Sequence, residues 1–135
     1  SKKLIIINDS KSTSFSSTIN MIKSDNNIFW ILGGKPKKKD KFNYKKNKSQ
    51  NIQAYIFGKN KNFFTKNLKK KIKYEVFLSI KSAFEQAFID VKKSKIDGKK
   101  LILFSPSSAS FDQFNNFEER GAYFNSLVKS KKIKL

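Results

Sequence analysis

The sequence predicts an α/β fold in which helices cover both faces of a mainly parallel sheet of about six strands. Short apolar runs alternate with segments of helical periodicity along the whole chain, which is typical of strands joined by right-handed crossovers. The chain has 135 residues, of which 38% are hydrophobic and 14% aromatic. This length and composition suffice for one folded domain with one core, and they are unlike those of a disordered tail.

Apolar runs define the predicted strands. They are short and rich in β-branched or aromatic residues, as buried strands usually are. The runs span residues 4–7, 27–32, 52–57, 74–77 and 101–104, and residues 133–135 form either a further edge strand or a frayed end. By contrast, residues 42–51 have little periodicity and are predicted as a short helix or a loop.

Three helices are predicted between these strands, from apolar residues that recur at steps of three and four. The first runs through Phe15, Ile19 and Ile22, and the second spans residues 60–70. The third follows Ser79, whose hydroxyl suits the N-cap position of a helix. Each of these helices would pack one apolar stripe against the sheet.

A fourth helix is predicted after the last long strand. Ser110 and Gln113 have the spacing of a capping box, so we expect the helix to begin there. Its apolar face would be formed by residues at alternating steps of three and four, namely Phe114, Phe117, Gly121, Phe124 and Val128.

The absence of cysteine and histidine excludes several classes of site. The chain has no disulfide framework and no thiolate metal site, and it lacks the commonest general base and the usual zinc ligands. No apolar run approaches the length of a membrane span, and no signal-peptide pattern opens the chain. We therefore expect a cytoplasmic protein without a membrane partner.

The formal net charge of +20 would by itself suggest a polyanionic partner. The cations are almost all lysine, however, and Arg120 is the only arginine. Bidentate recognition of phosphates or bases usually relies on arginine. Lys, Asn, Ile and Phe are abundant together, and all have A/T-rich codons. A bias in the base composition of the genome therefore explains the excess of lysine without a polyanionic partner. We therefore interpret the lysines as a solvated surface and keep nucleic-acid binding as the less favoured alternative.

Three polar loops, at residues 8–13, 33–40 and 105–117, each follow a predicted strand. Loops at the carboxyl ends of parallel strands gather at one edge of an open α/β sheet, where ligands bind. Gly33 and Gly34 allow a turn with positive φ in the second loop. The simplest alternative is that these are ordinary strand–loop–helix corners whose hydroxyls cap helices.

The same three loops carry the strings NDSKST (8–13), LGGKPKKKD (32–40) and SPSSASFDQFNNFEERG (105–121). In this order they resemble motifs of the C-terminal domain of the Mur ligase family, and most closely of its members that use D-glutamate. The resemblance covers nearly the whole chain and implies a three-layer, Rossmann-like domain. It is weakest at Lys35 and Pro36, where an acidic or small residue and a glycine are commoner.

The resemblance implies that this domain holds the incoming amino acid. The residues at the matching positions for D-glutamate are Thr13, Lys37, Ser110 and Phe117, with Phe117 acting through its backbone or as a wall. Thr13 and Ser110 have helix capping as the alternative role, and Phe117 has core packing. The resemblance places no catalytic residue and no metal ligand in this domain.

On the nucleotide side, the resemblance implies that Asp9 lies near the ribose of ATP and Lys11 near its phosphates. In the family, ATP phosphorylates the carboxylate of UDP-N-acetylmuramoyl-L-alanine, and the amine of D-glutamate then attacks to form an amide in peptidoglycan synthesis. ATP and Mg²⁺ are bound mainly by a central domain, and the uridine nucleotide by an N-terminal domain. No GxxxxGK[ST] loop occurs in this chain.

We therefore expect residues 1–135 to be the C-terminal domain of a monomeric three-domain ligase, inactive alone and without a nucleic-acid partner. Two alternatives stay open. One is a neighbouring ligase of the same family, such as a folylpolyglutamate or later Mur enzyme, although the SPSSASFDQF string disfavours it. The other is a lysine-rich, nucleic-acid-binding α/β domain, which would bind with a strong salt dependence.

Overall fold

The structure is a computed structural model that describes residues 2–110 and 114–131. Over these residues, strands and helices alternate as the sequence predicts. In chain order they are β1 (Lys2–Asn8), α1 (Phe15–Ile22), β2 (Asn27–Gly33), β3 (Asn51–Phe57), α2 (Lys61–Leu68), β4 (Lys73–Phe77), α3 (Ile80–Lys93), β5 (Gly98–Phe104) and α4 (Phe117–Ser130). None of these helices combines the length and the apolar character that a membrane span requires.

The strands form one parallel sheet in the order β1-β5-β2-β3-β4. The last strand, β5, is inserted between β1 and β2, where it pairs Ile6 with Ile102 on one side and Trp30 with Leu103 on the other. The described residues contain five strands, where about six were expected for the chain. The sixth, at residues 133–135, lies outside the described residues.

Two apolar cores lie on opposite faces of the sheet, so the predicted three-layer, Rossmann-like architecture is confirmed. One core packs α1 and α2 against the sheet, and the other packs α3 and α4. The central strand β2 is buried on both faces: Trp30 points into the first core, and Phe29 and Ile31 into the second. This double burial explains why its sequence is a continuous apolar run rather than an alternating one.

One polar pair links the sheet to α3. The hydroxyl of Tyr55, in β3, donates to the carboxylate of Asp90 over 2.7 Å. Burial raises the pKa of Tyr55, and the hydrogen bond to Asp90 and the negative charges of Asp90 and Glu75 raise it further. The buried phenol therefore stays neutral well into the alkaline range.

The start of α4 differs from the prediction. Its N-cap is Asn116, whose side-chain oxygen accepts from the backbone N–H of Glu119 over 2.7 Å. Asn is among the best N-cap residues, and Glu118 and Glu119 in the first turn are favoured by the positive end of the helix dipole. The expected capping role of Ser110 was therefore wrong. Gln113 lies outside the described residues.

The prediction that Phe117 packs in the core was also wrong, because Phe117 is 42% exposed. Helix α4 begins at Phe117, and only Phe124 and Leu127 among its large apolar residues are buried. Of residues 42–51, those up to Gln50 form a loop, and Asn51 begins β3. Phe42 is buried in the first core, and the side-chain amide of Gln50 fastens this loop to the carbonyl of Asp25 over 2.7 Å.

Candidate functional site

The carboxyl ends of β1, β5 and β2 carry three loops that are hydrogen-bonded to one another. The loop after β1 is joined to β5 and its loop by Asp9 N–H donating to the Phe104 carbonyl over 2.7 Å, and by Ser108 N–H donating to the Ser12 carbonyl over 3.3 Å. We call residues 8–13, 33–40 and 105–110 together the loop junction. It lies at the sheet edge where an open α/β fold binds its ligands.

The loop after β2 joins the junction by a short antiparallel bridge. Lys35 and Ala109 exchange backbone hydrogen bonds of 3.0 and 2.9 Å. Asp40, at the far end of this loop, accepts from the N–H of Phe15 over 2.9 Å and so ties the loop to the start of α1. The bridge requires a close backbone approach, which the preceding glycines provide.

Gly34 illustrates this close approach. It has φ of +114°, and a Cβ atom there would lie 2.5 Å from Ser108 Oγ and 2.8 Å from the Ala109 carbonyl oxygen. Its neighbour Gly33 has φ of +150°, and its carbonyl accepts a hydrogen bond from the hydroxyl of Ser108. The positive φ predicted for this glycine pair is therefore confirmed.

A buried network of hydroxyl groups connects the junction to α1. Its centre is Thr18, which is fully buried and whose Oγ1 atom lies 2.6 Å from the Oγ atoms of both Ser105 and Ser107. The same Oγ1 lies 2.7 Å from Ser12 Oγ. Ser105 Oγ in turn donates to the carboxylate of Asp9 over 2.9 Å. The network therefore fixes the loops after β1 and β5 against a single helix.

A second buried group, Arg120, joins α4 to the loop after β1. Its Nε donates to Ser10 Oγ over 3.2 Å, and its Nη2 donates to the Ser10 carbonyl over 2.6 Å. Ser10 Oγ also donates to the carbonyl of Phe117 over 2.8 Å. Gly121 lies against the same loop, since a Cβ there would be 3.1 Å from Ser10 Cβ. The guanidinium thus places a buried positive charge beside the junction.

The residues predicted to bind D-glutamate all lie in or beside this junction. Thr13 follows Ser12 and is half-buried, Ser110 follows Ala109 and is buried, and Lys37 is exposed two residues after the bridge at Lys35. Phe117 lies at the start of α4, with its ring partly exposed and its carbonyl held by Ser10. Their loops are brought together, and their binding roles stay predictions.

The two residues predicted to face ATP lie at the same end of β1. Asp9 is half-buried, and its carboxylate is oriented by Ser105, whereas Lys11 is exposed. Lys11 lines an open hollow of about 440 Å³ between the loop after β1 and α4, together with Ser10, Phe117 and Gly121. Its ammonium is therefore free of the packing that fixes the neighbouring serines.

Sequence reasoning missed three residues that build the site, namely Ser10, Thr18 and Arg120. Thr18 lies within the apolar stripe of α1, where a threonine carries no distinctive signal. Arg120 had a signal that was not used, because it is the only arginine and lies inside the string 105–121. A lone arginine within a motif can be expected to hold a fixed network rather than a solvated surface.

The fold and the junction together define the class of this molecule: a parallel α/β domain whose ligand edge is built from three interlocked loops rich in hydroxyls and lysine. No protein-family model matches the chain. The chain is nevertheless 37% identical over 122 residues to the UDP-N-acetylmuramoylalanine–D-glutamate ligase of Rickettsia felis.

Further relatives carry the same name. The chain is 37% identical over 123 residues to the UDP-N-acetylmuramoylalanine–D-glutamate ligase of a Wolbachia endosymbiont of Brugia malayi, and 36% identical over 124 residues to that of Rhodopseudomonas palustris. The three matches cover 90 to 92% of this chain but only 24 to 27% of each relative. The resemblance to the D-glutamate-using Mur ligases is therefore confirmed, and the chain spans about a quarter of the length of these curated relatives.

Proposed function

We propose that this chain is the C-terminal, amino-acid-binding domain of an ATP-dependent ligase that adds D-glutamate to UDP-N-acetylmuramoyl-L-alanine in peptidoglycan synthesis. The observation that carries the proposal is the convergence of three separate motif loops into one hydrogen-bonded junction. The names of the relatives support the choice of D-glutamate over the substrates of neighbouring ligases.

In this proposal the junction binds a dicarboxylate and aims its amine. Lys37 supplies a mobile, exposed ammonium to one carboxylate, since lysine is a point-charge partner on a flexible stem. Thr13 and Ser110 supply hydroxyls from loops that the hydroxyl network and the Lys35–Ala109 bridge hold in place. Such fixed donors contribute to amide formation by orienting the nucleophile, which is an entropic advantage.

On the ATP side, Asp9 would accept hydrogen bonds from the ribose and Lys11 would face the phosphates. ATP supplies the phosphoryl group that activates the carboxylate. In residues 2–110 and 114–131 no group of three acidic side chains could hold a metal ion. Mg²⁺ requires several oxygen ligands. By the resemblance to the Mur ligases, we propose that Mg²⁺ and most of the ATP contacts belong to a central domain that precedes this one in a monomeric, cytoplasmic ligase.

A binding experiment tests the amino-acid role. Backbone amide shifts of the ¹⁵N-labelled chain are followed during titration with D-glutamate, with L-glutamate as the stereochemical control. We expect the shifts to concentrate in residues 8–13, 33–40 and 105–110. Lys37→Ala should weaken binding about 10- to 100-fold, because a charge-assisted contact contributes about 1.5–3 kcal/mol.

The matched control for this substitution is Lys39→Ala, which removes an exposed lysine from the same loop. Equal losses from the two variants would show that net charge, and not Lys37, attracts the ligand. A separate assay with ATP, D-glutamate and the muramoyl nucleotide should give no amide from these 135 residues. Turnover by this chain alone would contradict its assignment as one domain of a larger ligase.

A further inference from the structure

The lysines of this chain are unevenly distributed, although we expected them to serve as a solvated surface. Residues 35–74 contain 15 lysines and one acidic residue, Asp40, and so carry +14 of the net charge of +20. Helices α3 and α4, on the opposite face of the sheet, carry five cationic and four acidic residues between them. Eight of these lysines lie in the loop before β3, and the other seven lie in residues 59–73, which contain α2, the start of β4 and no acidic residue.

Around α2 and the start of β4, lysines line two hollows beside an exposed ring. Two adjoining hollows of about 600 and 570 Å³ both include Tyr74. Lys70 and Lys73 line the first hollow, and Lys66 and Lys69 line the second. All four lysines are exposed. Glu75 is the only acidic residue that lines either hollow. The electrostatic potential here favours an extended anionic partner.

The same edge of the sheet also exposes apolar side chains. Among residues 2–110 and 114–131, strand β4 pairs only with β3, and none of these residues pairs with its other edge. Tyr74, Val76 and Leu78 are 38%, 49% and 83% exposed. Because alternate residues of a strand share a face, Tyr74 and Val76 project to the side opposite Phe77, which packs into the core beneath α3. Leu78 follows directly after the strand. An apolar ridge therefore runs beside the lysines.

We propose that Lys66, Lys69 and Lys70, with Tyr74, Val76 and Leu78, form a docking surface for an anionic lipid bilayer, here called the basic edge. Lysine ammonium groups are attracted to an anionic lipid surface without any need for bidentate geometry. The apolar ridge enters the headgroup region, as apolar residues beside cations do in interfacial proteins.

Two features favour a bilayer over a single-stranded nucleic acid. Sequence-tolerant binding of bases relies on a series of aromatic platforms. The basic edge offers only one well-exposed ring, Tyr74, and its most exposed apolar residues, Val76 and Leu78, are aliphatic. It also contains no arginine, the residue most suited to phosphate recognition.

Vesicle sedimentation with the whole chain tests this proposal. The probes are vesicles of equimolar phosphatidylglycerol and phosphatidylcholine, and vesicles of phosphatidylcholine alone. Binding is expected only to the anionic vesicles and should weaken as salt is added. Lys66→Gln with Lys69→Gln should lower the partition coefficient about 25-fold, because each lysine near an anionic surface contributes about fivefold. Leu78→Ser should lower it about fivefold through lost apolar burial.

The matched control is Lys3→Gln with Lys129→Gln, which removes the same charge from β1, at the opposite edge of the sheet, and from α4, which packs against β1. Its effect should be about twofold or less, since β1 lies four strand spacings, roughly 19 Å, from β4, and charges more than about 10 Å from the surface are screened. All these positions are exposed, and circular dichroism verifies that each variant is folded.

The proposal is overturned if both lysine pairs lower the partition coefficient equally, or if anionic vesicles are not bound. Binding to a single-stranded oligonucleotide that needs Lys66 and Lys69 but not Leu78 would assign the surface to nucleic acid instead.

Discussion

Replacing Thr18 by valine tests whether the buried hydroxyl network holds the loop junction. A hydroxyl has one hydrogen and two lone pairs, and the three neighbours of Thr18 Oγ1 at 2.6 to 2.7 Å use all of them. A carboxylate can only accept, so Asp9 takes the hydrogen of Ser105. Ser105 must then accept from Thr18, and Thr18 from Ser12 and Ser107.

The expected loss of stability in Thr18→Val follows from these hydrogen-bond directions. Without the hydroxyl of Thr18, Ser107 keeps only the Ser105 carbonyl at 3.3 Å, and Ser12 keeps the Ser14 carbonyl at 3.4 Å and the Ser17 hydroxyl at 3.1 Å. Three buried hydrogen bonds at about 1 kcal/mol each give a loss of about 3 kcal/mol. For a domain of this size, that lowers the melting temperature by about 10 °C.

Urea and thermal unfolding measure the stability, and Thr18→Ser is the control. Serine keeps the hydroxyl and loses one buried methyl group, so it should cost about 1 kcal/mol. Hydrogen exchange should also quicken at the Ser105 and Ser108 amides in the valine variant only, because their loop loses its anchor to α1. A valine variant as stable as the serine variant would refute the network as a source of stability.

Two further predictions concern backbone geometry and pH. Gly34→Ala should lower the free energy of unfolding by at least about 2 kcal/mol more than Gly98→Ala, as measured by urea denaturation. Both glycines have positive φ, but only at Gly34 would the new Cβ meet atoms at 2.5 and 2.8 Å. Similar losses of stability in the two variants would show that the close approach of Gly34 to Ser108 and Ala109 does not require a glycine. For Tyr55, the folded-state pKa lies above the unfolded value of 10.0, so its stabilising contribution is complete below pH 10 and declines as the pH rises further. Tyr55→Phe should therefore lose about 1 kcal/mol below pH 10 and show a shallower decline above it than the parent chain; parallel pH curves would disprove the linkage.

The layers of the fold were predictable because the spacing of apolar residues along a strand or helix shows which of its faces is buried. Strand β2 is apolar from Ile28 onward and is the central strand, whereas β4 carries charged residues at alternate positions, Lys73 and Glu75, and is an edge strand of the described sheet. Strand β5 begins at Gly98, three residues before its apolar run, because Lys99 and Lys100 pair with β1 through their backbones. Backbone pairing of this kind does not require apolar side chains, so the pattern of apolar residues does not show it.

The site was predictable in its location and less so in its construction. The three motif strings indicated which loops converge, but the strings 8–13 and 105–121 contain three and four hydroxyl residues, and nothing in the sequence shows which of them face a ligand. Whether a serine faces inward depends on the tertiary partner it meets, as Ser10 meets Arg120 and Ser105 meets Thr18. The predicted start of α4 was wrong for a related reason. Both Ser110 and Asn116 are suitable N-cap residues by local sequence, and only packing selects between them.

The structure divides the motif residues into two groups, and this division sharpens every test of function. Ser10, Ser12, Ser108 and Arg120 are buried and hold the junction together, whereas Lys11 and Lys37 are exposed at its rim. Substitution of a buried member should reduce stability and ligand affinity together, because the loops lose their positions. Substitution of a rim lysine should reduce affinity at unchanged melting temperature, since exposed side chains contribute little to folding. A loss of D-glutamate affinity without a loss of stability is therefore the signature that separates a binding residue from a residue that only builds the loops.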